Sequence, residues 1–437
     1  VKTALDNFFD LTGLKTNVKR EILAGFTTFI SMAYILFVNP EILGASGMDK
    51  GAVFTATALA SAIGCLLMGL LAKYPIATAP SLGINAFFAY SVCIGMNIPW
   101  QTTLAGVFVA SIIFLLITVF KLRELIIDAI PADLKAAISA GIGLFIAFIG
   151  LQGGGLIVAN KSTLVGLGSF SGSTWVTVFG LIVVSILMVM RVPGAIFIGM
   201  VLSAIFGIAT GNIQMPHAFV APAPSMDQTF LVALSHLKDI NTLQMWVVVI
   251  TFLLVTFFDT AGTLIALAQQ AGFLQNNKMP RVGKALMSDS TAMLFGSLFG
   301  TSPVGAYVES SAGIAVGGRS GLTAVTTGIC FILGLFFSPL LTVVTSQVTA
   351  PALIIVGVLM AQSMARITWT KLEIAIPAFL TVAGMPLTYS ISDGLALGFI
   401  AYPITMIAAR KSKEVPALMY VLFFVFVIFF WVLNIEK

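Results

Sequence analysis

Long apolar runs separated by short polar stretches follow one another along most of the 437-residue chain. A helix needs about 20 mostly apolar residues to cross the hydrocarbon of a bilayer, so each run reads as a span. The first series falls near 22–43, 51–72, 81–96, 100–120, 134–152, 174–190 and 194–210. After a polar break, a second series falls near 242–271, 284–300, 306–318, 321–344, 350–364, 373–388 and 392–409. One more apolar run, Val415 to Leu433, has no counterpart in the first series and is long enough to cross. The pattern predicts an all-α polytopic membrane protein of fourteen transmembrane spans with an extra C-terminal apolar helix.

Composition fits that reading. The chain is 59% hydrophobic and 9% charged, with a mean hydropathy of +1.06, whereas a soluble domain is about a quarter charged. Val1 to Lys19 is polar and mixed in charge, with no early apolar segment ending in small residues, so the first span is expected to double as the insertion signal. Cys65, Cys93 and Cys330 all lie inside apolar segments and read as small buried hydrophobes, with no disulfide framework.

Charge then orients the spans. With the N-terminus placed in the cytoplasm, 18 of the 22 Lys and Arg residues fall on the cytoplasmic side, and only Lys50, Lys161, Lys238 and Lys437 fall outside. A span miscounted before residue 410 would scramble this asymmetry, so it supports the count of fourteen. The net charge of +5 sits where a bilayer favours it and implies no nucleic acid partner.

Seven spans followed by seven put the second half into the membrane from the opposite side, the inverted-repeat arrangement of many secondary transporters. The run SAIGCLLMGLLAKYPIATAPSLGINAFF is echoed by TAMLFGSLFGTSPVGAYVESSAG: small residues along a helix, then Pro, then a short extended stretch. The third span of each half, span 3 and span 10, is therefore expected to be broken. Pro80 and Gly83, with Pro303 and Gly305, mark a cavity, and half-helices are expected to begin near Asn85 and Glu309 with free N–H groups aimed at it.

Most of the 17 acidic residues lie in loops or at span ends, and only Asp259 and Glu309 sit well inside predicted spans. A carboxylate at the bilayer centre costs about 2.5 to 3.5 kcal/mol, so the pair is a functional candidate by default. Neither has a basic partner within the spans. Desolvation and a second negative charge both disfavour the ionised form, the behaviour wanted in a proton-coupling site. A sodium ion held by carboxylate and backbone oxygens is the open alternative. Asp289, in the first turns of its helix, reads equally well as a solvated or packing residue. Asn85 offers both a donor and an acceptor to a heterocycle's edge, Tyr307 offers a ring to frame a flat ligand, and Thr263 lies one turn beyond Asp259 on the same face.

Other signals are weak. His217 and His236 lie in the external segment 211–241 and make no metal site, and no metal or other cofactor is expected. Gly153 to Gly155 lacks the P-loop's Lys and Ser/Thr and reads as a turn, and Asn160-Lys161-Ser162 is a sequon too common to weigh. The spans hold no His and no credible pairing of nucleophile with base, which argues against a membrane-embedded enzyme. An anion exchanger of the same architecture would favour a positive site, and a passive channel is a third alternative.

FTTFISMAYILFVNP, APSLGINAFFAY, TFFDTAGTL, TSPVGAYVESSAG and TAPALIIVG, in this order along nearly the whole chain, closely resemble the AzgA-like purine permeases. These form a branch of the nucleobase-cation symporter-2 (nucleobase-ascorbate transporter) family. The resemblance implies a core domain of spans 1 to 4 (1–132) and 8 to 11 (241–346). It implies a gate domain of spans 5 to 7 (133–240) and 12 to 14 with the C-terminal helix (347–437). Substrate would sit between the two, held by Asp259, Glu309 and Asn85, with Tyr307 and the backbone N–H groups of Ala86 and Val308. A purine nucleobase (the hypoxanthine, guanine and adenine class), symported protons, the plasma membrane and a homodimer through gate surfaces complete what the resemblance implies. Uracil-type members carry His where this chain has Thr263, and the shorter Asp259 suits a bicyclic base.

Overall fold

In lipid a backbone can satisfy its N–H and C=O groups only internally, so apolar runs fold as helices. The computed structural model describes residues 2–120, 130–273 and 279–435, and a helical segment stands at each of the fourteen predicted positions. Among the described residues nine helices are long and apolar enough to cross a bilayer, and four shorter apolar helices accompany them.

A short helix α1 (Lys2–Phe9) leads to α2 (Val18–Met32) and α3 (Ile35–Gly44), which together form the first predicted span. The two are joined by a tighter turn at Ala33 and Tyr34, where Leu36 N–H and Phe37 N–H reach back three residues. Then come α4 (Lys50–Leu67), α5 (Leu82–Ala86), α6 (Trp100–Val119), α7 (Ala132–Gly153), α8 (Gly172–Val189) and α9 (Ala195–Ala209). The second half follows with α10 (Leu243–Gln270), α11 (Val282–Phe299), α12 (Ser310–Val316) and α13 (Gly321–Gly334). It ends with α14 (Ser346–Ala361), α15 (Leu372–Thr388), α16 (Ile391–Ala408) and the C-terminal apolar helix α17 (Ala417–Ile435). Polar residues at the starts serve as caps: Asn17, Asp49 and Thr242 each accept from an N–H in the first turn.

Spans 3 and 10 are broken as expected. Strand β1 (Thr78–Pro80) and a partner strand in the second half, β4 (Val304–Ala306), pair antiparallel, with Ala79 opposite Gly305, and all six residues are buried. Ser81 N–H donating to Pro303 O (3.0 Å) and Tyr307 N–H donating to Ala77 O (2.9 Å) extend the pairing at either end. Each half thus satisfies the other's exposed backbone, and neither extended segment is stable at this depth alone.

One local expectation is corrected. The first half-helix begins at Leu82, not near Asn85, because Ser81 is still extended and its carbonyl already accepts from Ile84 N–H and Asn85 N–H. Asn85 and Ala86 therefore lie inside the helix. A hairpin of β2 (Ile157–Asn160) and β3 (Leu164–Leu167) was not anticipated between spans 5 and 6. Asn160 Oδ1 there accepts from Ser162 N–H and Thr163 N–H, so the sequon-like residues form its turn.

The helices pack as two sets. In one, α2 lies against α12 and α13, α4 against α11 and α13, and α6 against α10 and α11. In the other, α7 lies against α14 and α15, α8 against α9 and α14, and α15 against α16. The α7–α14 contact is close because both helices present Gly: a Cβ on Gly143 would stand 2.9 Å from the Gly357 carbonyl oxygen. Helix α17 packs on α16 through Phe426 and Phe399, with ring centroids 5.6 Å apart.

Candidate functional site

A cavity of about 1060 Å³ lies between the two sets. Asp259, in the middle of α10, and Glu309, at the start of α12, both line it, and both were legible as unpaired acids in apolar spans. Each is held from another span. Ser81 Oγ donates to Asp259 Oδ2 (2.6 Å), and Tyr34 OH donates to Glu309 Oε1 (2.5 Å). The tighter turn between α2 and α3 is what presents Tyr34, and the end of β1 is what presents Ser81.

The remaining predicted residues divide. Thr263, Tyr307 and Val308 line the cavity, and Val308 is 51% exposed there. Tyr307 does not offer its hydroxyl to the cavity, since the OH donates to Pro80 O (2.7 Å) and braces the two strands. Asn85 and Ala86 are buried and do not line the cavity, where Ser81, Leu82 and Gly83 stand in front of them. Asn85 Nδ2 donates to Asn39 Oδ1 (2.9 Å), while its own Oδ1 has no hydrogen-bond partner among the described residues.

Asn39 is the hub of a buried network that sequence reasoning did not pick out. Its Nδ2 donates to Thr57 Oγ1 and Thr301 Oγ1, both at 2.7 Å, and its Oδ1 also accepts from Ser302 Oγ (3.3 Å). Spans 1, 2 and 3 are thereby tied to the segment entering β4. Its signal was faint: an Asn within an apolar run, next to Pro40. Ser81 and Tyr34 were missed as well, because a hydroxyl in a span more often bonds its own helix or packs.

At one end the two sets meet directly. Tyr389, at the end of α15, stacks edge-on against Tyr90, Phe145 and Phe148 with centroids 5.5 to 6.0 Å apart, and its carbonyl accepts from Ser91 Oγ (3.3 Å). Ser346 Oγ donates to Glu41 Oε1 (3.2 Å), and Glu41 is ion-paired with Lys50. Toward the opposite end the cavity wall carries Lys135, Arg191 and Arg366, the last two exposed.

Residues 19–397 match the Xan_ur_permease model, described as a permease family. The chain belongs to the Xan_ur_permease family. The guanine/hypoxanthine permease PbuG of Bacillus subtilis (strain 168) is 55% identical over 98% of this chain and 99% of its own length. The adenine permease AdeP of Escherichia coli (strain K12) is 40% identical over 97% of this chain and 96% of its own. Among solved structures, the transmembrane domain of the cyanobacterial bicarbonate transporter BicA superposes with a TM-score of 0.61. It covers 90% of this chain and 97% of its own, at 16% identity, a likeness of fold alone. The Xan_ur_permease chain is thus a multi-pass membrane permease with an inverted-repeat transporter fold, not an enzyme, in agreement with its five motifs.

Proposed function

We propose that this permease imports purine nucleobases across the plasma membrane in symport with protons. The observation that carries the proposal is the convergence, on one cavity between two helix sets, of Asp259 and Glu309 with the ends of two paired, broken spans. The names of PbuG and AdeP support the substrate class. A neutral purine donates ring N–H groups to the two carboxylates, its acceptors meet the Val308 N–H and the start of the first half-helix, and Thr263 and the Tyr307 backbone border it. Asn85 and Ala86 act from behind this surface, holding the half-helix in place.

Alternating access moves the set with spans 1 to 4 and 8 to 11, the core, against the gate set that faces it. With the N-terminus cytoplasmic, the basic end of the cavity is the cytoplasmic mouth, and the Tyr389 and Glu41 contacts form the closed external gate. Two carboxylates at the centre favour a neutral base with a proton over an anion, despite the fold shared with a bicarbonate transporter. Exposed Phe424 and Trp431 on α17 face lipid or a second copy of a homodimer.

The test is concentrative uptake of radiolabelled hypoxanthine into proteoliposomes driven only by an inward proton gradient. Accumulation that collapses with a protonophore is expected. Accumulation that instead follows a sodium gradient would overturn the coupling, and none under either gradient would overturn the transport reading.

A further inference from the structure

Two guanidinium groups stand on the cavity wall that a neutral substrate has no use for. Arg191 lies in the turn between α8 and α9, and Arg366 ends the 3-10 turn after α14. Among the described residues neither guanidinium is hydrogen-bonded or ion-paired. Lys135 of α7 lines the same wall. All three belong to the gate set, whereas Asp259 and Glu309 belong to the core set.

Their height above the base site can be read from helix geometry. Ile142 meets the cavity at the level of Gly83, where its Cγ2 is the nearest atom to a Cβ built on that glycine. Lys135, Ile138 and Ile142 line one face of α7, so Lys135 lies seven residues away, about 10 Å at 1.5 Å per residue. On the neighbouring helix of the same wall, Val356, Met360, Ser363 and Arg366 run with helical spacing toward the same end. A cationic rim therefore sits about 10 Å along α7 from the level of the first half-helix, a height that the ribose and phosphate of a nucleotide can span together, at the mouth of a cleft whose low-dielectric walls focus its field on anions.

We propose that this rim binds the phosphate of a purine nucleoside 5′-monophosphate whose base occupies the Asp259–Glu309 site, and that such a nucleotide inhibits transport from the cytoplasmic side. The inference rests on the purine reading above and adds regulation to it. Arginine suits the role because its planar fork binds phosphate oxygens in pairs. A ligand held at once by core carboxylates and gate arginines ties the two sets together, so it blocks their relative movement and is not carried. A phosphoribosyl transfer that consumes the imported base yields this class of nucleotide, which makes the contact a product brake on import.

The experiment is calorimetric titration of the purified wild-type protein and of the Arg191→Gln/Arg366→Gln variant with hypoxanthine, guanosine, guanosine 5′-monophosphate, ribose 5-phosphate and inorganic phosphate. For the wild type the monophosphate should bind at least roughly tenfold more tightly than guanosine, from charge-assisted contacts. The variant should lose that advantage while binding hypoxanthine unchanged, which also shows that it is folded. In vesicles, the monophosphate applied at the arginine-bearing end should slow hypoxanthine counterflow through the wild type only.

A monophosphate no tighter than guanosine, or an advantage that survives in the variant, overturns the proposal. So does phosphate or ribose 5-phosphate binding as tightly as the nucleotide, since that marks an anion patch unconnected to the base site. If the variant loses hypoxanthine binding, Arg191→Lys/Arg366→Lys replaces it: retained hypoxanthine binding with a weakened nucleotide advantage supports the clamp, and an undiminished advantage overturns it. Failure of hypoxanthine itself to bind the wild type would count against the purine reading, whereas the comparison of nucleotide with nucleoside reads the rim separately.

Discussion

In the first broken span, β1 leads to Ser81, Leu82 and Gly83 at the cavity, whereas in the second, β4 leads to Tyr307, Val308 and Glu309. In both, a three-residue strand leads into a half-helix, each strand completing the other's hydrogen bonds. The side chains differ. The first half-span brings small groups and a serine that steadies Asp259; the second brings its own carboxylate and needs Tyr34 from span 1 to steady it. The first half-span's amide, Asn85, faces inward onto Asn39. Repetition supplies a symmetric frame, and asymmetric substitution on that frame gives a two-sided pocket for an asymmetric ligand.

The largest effect on this comparison should come from the acids. Asp259→Ala and Glu309→Ala are each expected to cut hypoxanthine uptake and binding more than about a hundredfold at equal membrane expression, since a site built for hydrogen bonds fails when one partner goes. Normal uptake by either variant removes that residue from the site. Asn39→Ala should act on the frame instead, leaving Asn85, Thr301 and Ser302 with buried groups unsatisfied at about 1 to 3 kcal/mol each. A melting temperature unchanged from wild type in detergent would show that the hub does not hold the half-spans together.

The two steadying hydroxyls test the asymmetry directly. Tyr34→Phe and Ser81→Ala each delete one hydrogen bond to a carboxylate, and each should weaken binding roughly tenfold with little change in stability. A loss from only one of the two would mean that the halves differ in energy as well as in residues. Thr263→Ala should do least, about twofold, because Thr263 only borders the cavity. A loss as large as that of Asp259→Ala would instead place it on the ligand or the proton.

Much of this was written in hydrophobic order alone. Spans long enough to cross, the breaks at Pro80 and Pro303, and two acids without basic partners are all local signals, because lipid punishes an unsatisfied backbone or a lone charge wherever it stands in the chain.

What the tertiary structure decided is which polar groups meet. Tyr34 and Glu309 are 275 residues apart, Ser81 and Asp259 178, and Asn39 and Thr301 262, and no periodicity within a span encodes such pairs. A three-residue shift in where a short helix starts carried Asn85 from the expected rim into the packed interior, and such a boundary depends on the strand pairing across the two halves. The sequence by itself determined the solvent, the elements and the candidate charges, because those follow from each segment's own transfer energy. The partners of those charges were settled only when distant segments paired, since hydrogen bonds are directional and depend on angles that a linear pattern does not contain.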